Sequence, residues 1–378
     1  MIRTASSIRT LVQSLRAISS FSQTGVGARN SYNSGAVSSL QQVIRPSTYG
    51  EDEYADVDWD NLGFGITPAD YMYINQSTKD GEFHQGQLSR YGALELSPAA
   101  GVLNYGQGLY EGTKAYRKED GRLLVFRPDQ NALRMKMGAD RICMPCPSVD
   151  QFVDAVKQVA LANKRWTPPP GKGTMYIRPL LMGSGPIMGL APAPEYTFLI
   201  YCSPVGNYFK EGFAPLNLYV EDEFHRATRG GAGGVKSITN YAPVLKAIAR
   251  AKGNGYSDVL YLDSVHKRYL EEGRVISTPA AIGTILQGVT RKSIIEIASD
   301  QGYQVEERAV AVDELAEADE VFCTGTAVGV ASVASITYQG KRLEYKVGAE
   351  TVAQQLYSIL EGIKSGAIED KKGWVVEI

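Results

Sequence analysis

Residues 229–247 read RGGAGGVKSITNYAPVLKA. A glycine run leads into Lys236, and a strand-to-helix step, Ile238-Thr239-Asn240-Tyr241, follows it. Glycine has no Cβ, so backbone there can approach a flat ligand closely. A lysine held in such a place is desolvated, and its amine becomes a better nucleophile as its pKa falls. The plain alternative for any single lysine is a solvated surface charge. The run resembles a phosphate loop, but Val235 breaks the Gly-Lys adjacency of the Walker A pattern. Gly183-Ser184-Gly185 followed by Gly189 is one residue off the dinucleotide fingerprint. Both stretches otherwise read as surface turns.

Three further stretches could hold a phosphate. Arg134 lies in RPDQNALRMKMGADR (127–141), on a helix entered after Pro128. Gly288-Val289-Thr290 opens another helix, whose first N–H groups can face an anion. Thr324-Gly325-Thr326-Ala327 is a strand-to-turn site with hydroxyls and free N–H groups. Each alone is an ordinary turn or helix start. Together with Lys236 they suggest a phosphorylated aldehyde cofactor.

The chain has 378 residues, a length that suits two domains. It is 44% hydrophobic and 21% charged, the composition of a globular protein. Its formal net charge of -2 lacks the basic excess of a nucleic-acid binder. No apolar run is long enough to span a membrane, and four cysteines make no disulfide framework in so long a chain. Met1 to Gly50 contains no Asp or Glu; Arg3, Arg9, Arg16, Arg29 and Arg45 are its only charges. Ile8, Leu11, Val12, Leu15 and Ile18 fall on one helical face. An acid-free, arginine-bearing amphipathic start marks an organelle transit peptide, with the mitochondrion favoured and the chloroplast as alternative. Residues 1–50 are therefore expected to lie outside the fold.

Beyond Glu51, strand-like and helix-like stretches alternate. Helical spacing covers 131–142, 149–166, 241–251, 290–301 and 350–364. Residues 175–182 and 196–201 read as buried strands, and 115–126 as a hairpin about Glu119-Asp120-Gly121. SPVGNYFKEG (203–212) suits a linker. The expectation is a mixed α/β protein with a small domain over 51–204, a linker over 205–214 and a large domain over 215–378.

The chain resembles plant-type branched-chain aminotransferases, members of the fold-type IV pyridoxal-phosphate enzymes. The resemblance covers 54–378. It is carried by DVDWDNLGFG (56–65), GQGLYEGTKAYR (106–117), RPDQNALRM (127–135) and MYIRPLLMGSG (175–185). GGVKSITNYAPVLKA (233–247), TPAAIGTILQGVTRKS (278–293), EVFCTGTA (320–327) and KGWVVEI (372–378) complete it. It implies the D-amino-acid-aminotransferase-like architecture: a smaller N-terminal α/β domain and a larger C-terminal domain with a barrel-like sheet. It also implies pyridoxal 5′-phosphate as cofactor, joined to Lys236. Tyr241 would bond the cofactor's phenolic oxygen and Glu272 its pyridine nitrogen. Arg134, Val289, Thr290 and Thr326 would hold the phosphate. Tyr176 and Arg178 would hold substrate carboxylate, the glutamate side chain included. Phe64, Tyr105, Tyr110, Met188, Leu190 and Ala327 would line an apolar pocket, some of them from the partner subunit of a homodimer. The implied reaction moves the amino group of leucine, isoleucine or valine to 2-oxoglutarate in a ping-pong cycle, and runs in either direction.

One stretch departs from the family pattern. YLEEGRVISTP (269–279) keeps Glu271, Glu272 and the Thr-Pro segment but lacks the Asn-x-Phe strand between them. The deficit is about ten residues, one strand with its flanks. An alternative expectation is therefore a catalytically impaired variant, since a misplacement of ~1 Å can cost ~100-fold in rate. Cys143-Met144-Pro145-Cys146 has no second pair and reads as packing, and His84, His225 and His266 are scattered.

Overall fold

A computed structural model of the chain describes residues 54–78, 81–206, 214–264, 276–281 and 283–378, with the backbone alone at 10–14 and 269–270. Strand β1 (Thr10–Ser14) comes first in the chain. The first half then runs β2 (Tyr71–Thr78), β3 (Gln87–Arg90), α1 (Gly101–Tyr105), β4 (Gly108–Tyr110), β5 (Thr113–Arg117) and β6 (Leu123–Phe126). Helices α2 (Pro128–Arg141) and α3 (Val149–Ala162) follow, then the long strands β7 (Thr174–Gly183) and β8 (Glu195–Val205). The second half starts with β9 (Leu216–Glu221), α4 (Leu245–Gly253), β10 (Asp258–Tyr261), β11 (Tyr269–Leu270), β12 (Ser277–Thr278) and α5 (Val289–Asp300). It ends with β13 (Glu306–Glu307), β14 (Val310–Ala311), β15 (Glu320–Gly325), β16 (Gly329–Tyr338), β17 (Lys341–Glu344), α6 (Val352–Ser365) and β18 (Val375–Glu377).

The first sheet has the order β18-β6-β5-β7-β8-β2-β3, with β4 on β7. Strand β6 (LLVF) is a continuous apolar run with every residue buried. The expected hairpin is present, with Ala115 opposite Val125 and Gly121 at φ 82° in the turn. Helix α2 begins at Pro128, where the missing N–H costs no bond, rather than at Asn131. Helix α3 starts from a capping box between Ser148 and Gln151. It stops at Ala162, and Lys164–Trp166 turns as a tighter helix before the prolines. Phe152, Phe198, Leu109, Met135 and Ile177 form the core between these helices and the sheet. The C-terminal β18 returns to this sheet, pairing with β6, so the last residues complete the first sheet.

The second sheet has the order β10-β9-β16-β15-β1-β12-β13, with β17 on β16. It is open, whereas the expectation was a barrel-like sheet: β10 and β13 end it without pairing to each other. Helices α5 and α6 cover it through Ile294, Ile297, Leu356 and Leu360, packed on Phe322. Phe126 of the first half and Trp374, just ahead of β18, join that cluster, their rings perpendicular at 5.8 Å, and so tie the halves together. Helix α4 starts at Leu245, later than expected, because tight turns at 238–240 and 242–244, the second containing Pro243, come first.

The segment expected to stand outside the fold contributes β1. Its backbone runs parallel to β15, Thr10 opposite Glu320 through Ser14 opposite Thr324, and Leu11 pairs with Ser277 of β12. It therefore fills a place in the sheet between β12, at the end of the shortened stretch 269–279, and β15. Residues 207–213 of the expected linker, and both Glu271 and Glu272, lie outside the described residues. A chain starting at Glu51 would leave one edge of buried β15 unpaired, at ~1–3 kcal/mol per buried group. Its urea midpoint should fall below that of the full chain; equal midpoints would show that β1 adds nothing to the sheet.

Candidate active site

Lys236 sits where the two halves meet. Leu109 of β4 forms a β-bridge with Ser237, and the Tyr110 N–H donates to the Lys236 carbonyl at 3.2 Å. The stretch around the lysine is braced from within. The Asn240 amide donates to the carbonyls of Ala232 and Val235, at 2.7 and 2.9 Å, and holds the glycine run in a loop. The glycines serve a purpose other than the expected approach to a ligand. A Cβ on Gly234 would stand 2.8 Å from the Gly283 carbonyl oxygen, and one on Gly233 2.7 Å from that of Thr284. Their bareness admits the neighbouring loop.

The Lys236 side chain is buried, and its Nζ donates to the Tyr241 hydroxyl at 3.3 Å. It also lies 4.4 Å from the centroid of the Tyr110 ring. The Tyr110 and Tyr241 rings are 4.9 Å apart. Burial, reinforced by Tyr241, pushes the Tyr110 phenol well above its ordinary range, so it stays protonated at neutral pH. Arg178 lies over the same ring at 4.8 Å and donates to the Tyr176 hydroxyl at 3.3 Å. Its Nε is buried with no hydrogen-bond partner. The Phe64 ring meets Tyr176 edge-on at 5.2 Å. Gly112 is required here, because a Cβ would fall 2.1 Å from the Tyr176 hydroxyl. Phe64, Tyr110, Tyr176, Arg178, Lys236 and Tyr241 are thus brought into one constellation.

The expected phosphate groups also converge. Val289, Thr290 and Thr326 line one small cavity with Asn131. Helix α5 starts there from Gly288 with no side-chain cap, leaving its first N–H groups for an anion. The Thr324 hydroxyl is buried without a partner. Arg134 has a partner that the sequence did not reveal. It forms a two-pronged pair with Glu111, whose side chain is wholly buried, with Nε to Oε1 at 2.8 Å and Nη2 to Oε2 at 2.5 Å. Asn131 donates to the same carboxylate at 2.9 Å, and Arg134 also donates to the Gln287 carbonyl at 3.0 Å. Burial works against the arginine's charge, and Glu111 more than offsets it. An acid inside the apolar strand region LYEGT was the only signal for Glu111.

Other expected residues stand apart. Met188 and Leu190 are each 87% exposed, and the Tyr105 hydroxyl donates to the Met188 carbonyl. Ala327 is buried in the turn between β15 and β16. The four cysteines are free thiols, and burial pushes Cys146 up to about 12. Among the described residues no group of His, Cys, Asp and Glu could hold a metal ion, and no helix is long and apolar enough to cross a membrane.

Residues 108–336 match the family model for class IV amino-transferases. The chain is 66% identical to branched-chain-amino-acid aminotransferase 2, chloroplastic, of Arabidopsis thaliana, over the whole of both chains. It is 62% identical to branched-chain amino acid aminotransferase 1, mitochondrial, of Humulus lupulus, over 98% of each. Among solved structures it is similar to a bacterial branched-chain amino acid aminotransferase from T.th. with pyridoxamine 5′-phosphate. That likeness has a TM-score of 0.68 and 25% identity, over 82% of this chain and 99% of that one.

Removing one member of a buried ion pair typically costs about 3–5 kcal/mol, because the other charge is left unpaired. Glu111→Leu should lower unfolding stability by about that much, read from urea denaturation. Adding Arg134→Met should recover most of the loss; a double variant as unstable as the single one would assign the effect to packing instead.

Proposed function

The chain belongs to the class IV amino-transferase family, and from that premise we propose that it is a branched-chain-amino-acid transaminase working with pyridoxal phosphate. The amino group of leucine, isoleucine or valine would pass to 2-oxoglutarate, giving the branched 2-oxo acid and glutamate, and the reverse. The observation that carries this reading is the Lys236 amine, buried against the Tyr110 and Tyr241 phenols, in a chain that also gathers Val289, Thr290 and Thr326 around one small cavity. The full-length likeness at 66% identity lends no support to the expectation of an impaired variant.

The residues present fit the cofactor. The uncapped start of α5, the partnerless Thr324 hydroxyl and the Val289–Thr290–Thr326 cavity suit its phosphate. Lys236 is the amine that would hold its aldehyde carbon. Bound there, pyridoxal phosphate supplies an electron sink for the carbon bearing the amino group. Lys236 would take the proton from the substrate Cα and deliver it to the cofactor's former aldehyde carbon, since its amine is held at one point by Tyr241. Arg178, with an unused Nε and an aromatic seat, suits a carboxylate. Phe64, Tyr110 and Tyr176 form apolar walls that suit an aliphatic side chain. Such walls separate leucine, isoleucine and valine weakly, since a methylene is worth roughly 1–3 kcal/mol.

The exposed Met188 and Leu190 support a homodimer in which a second copy covers this loop and completes the substrate pocket. The relatives carry both chloroplastic and mitochondrial names, which supports an organelle. The arginine-bearing, acid-free start favours the mitochondrion.

Borohydride reduction of the purified chain with pyridoxal phosphate, followed by peptide mass mapping, should place the cofactor on Lys236. Leucine should shift the bound cofactor's absorption band. Lys236→Ala should lose the label and slow turnover by roughly 10²–10⁴-fold. A label on another lysine, or no response to leucine, overturns the reading.

A further inference from the structure

A cavity of about 650 Å³ lies between β5, the β15–β16 turn and α6. Among the described residues the Lys114 side chain bridges β5 to the turn directly, its Nζ donating to the Ala327 carbonyl at 3.0 Å. Thr326, next to it in the chain, faces the small cavity shared with Val289 and Thr290. We infer that Lys114 is a positioning residue, whose ammonium fastens the 325–329 turn to the small domain and so sets Thr326 and Ala327 for cofactor and substrate. That role rests on the transaminase reading above.

The surroundings make this tether responsive to pH. Burial pushes the Lys114 ammonium down to about 8, with Glu361 of α6 opposing and Lys364 adding to the effect. Lys364 is paired with Glu361 at 2.7 Å. Tyr116 on β5 and Tyr357 on α6 face the same space, and both are pushed up by burial and Glu361, which keeps them neutral here. Asp60 and Lys172 on the remaining wall are paired with each other. Lys114 is therefore the group that changes charge near neutrality. Below about 8 it is an ammonium and holds the turn; above, the neutral amine holds it less.

Two substitutions separate these effects. Lys114→Met keeps the stem without donor or charge, and Lys114→Arg keeps both at every pH. At pH 7 without cofactor, hydrogen exchange of a peptide spanning 324–330 should quicken roughly tenfold in Lys114→Met and stay slow in Lys114→Arg, the scale of one charge-assisted hydrogen bond. Unchanged exchange in Lys114→Met overturns the inference, whatever the activity. With cofactor, KM for the branched 2-oxo acid should rise roughly tenfold in Lys114→Met, with kcat altered less. Between pH 7 and 9 the wild-type KM should climb relative to Lys114→Arg and approach that of Lys114→Met. A wild-type ratio to Lys114→Arg that stays constant with pH also overturns it. Failure of Lys236 to take the cofactor in every variant would instead strike the transaminase reading and leave the exchange result standing.

Discussion

The buried carboxylate of Glu111 is the point on which the site depends. It has no access to water, so its charge is tolerable only while Arg134 and Asn131 surround it. Those partners come from α2, which fixes the helix against the strand region holding Tyr110. The same arginine reaches the Gln287 carbonyl, just ahead of α5, and thereby places the start of that helix. One buried charge thus holds the β4–β5 region, α2 and the start of α5 in mutual register.

The Lys236 segment is positioned by a second, backbone route. The bridge from Leu109 to Ser237 and the Tyr110–Lys236 hydrogen bond are indifferent to side-chain chemistry, so they locate the lysine without consuming its amine. Side-chain freedom is then removed by aromatic faces, with Tyr110 shared between Lys236 on one side and Arg178 on another. Their separate hydrogen bonds, to the Tyr241 and Tyr176 hydroxyls, keep each in its own place.

Much of this was legible in the residues. The lysine after a glycine run, the uncapped helix start at Gly288 and the Thr-Gly-Thr turn are local patterns, and the fold brings the last two into one cavity. Strands β6, β7 and β8 of the first sheet were visible as apolar runs, and α3 as periodic spacing, because local burial writes such patterns directly. Glu111 was not legible as a partner of Arg134, since the pair closes across 23 positions of chain. The glycines were legible as permissive backbone but not as the seat of the 283–284 loop, which depends on what the fold brings opposite them. Lys114 looked like any strand lysine until the β15–β16 turn was placed above it.

The sequence alone put on offer one amine between a glycine loop and a helix, with hydroxyls and N–H groups able to face an anion, as properties of residue types and short spacings. The aromatic walls and the arginine for carboxylate were what the family resemblance implied. Only the tertiary structure decided which groups meet. It seated β1 between β15 and β12, returned β18 to the first sheet, left Met188 and Leu190 exposed, and opened the second sheet. Strand order and buried charge pairing join residues far apart in the chain. Their energies come from backbone groups and desolvated partners that no local pattern encodes.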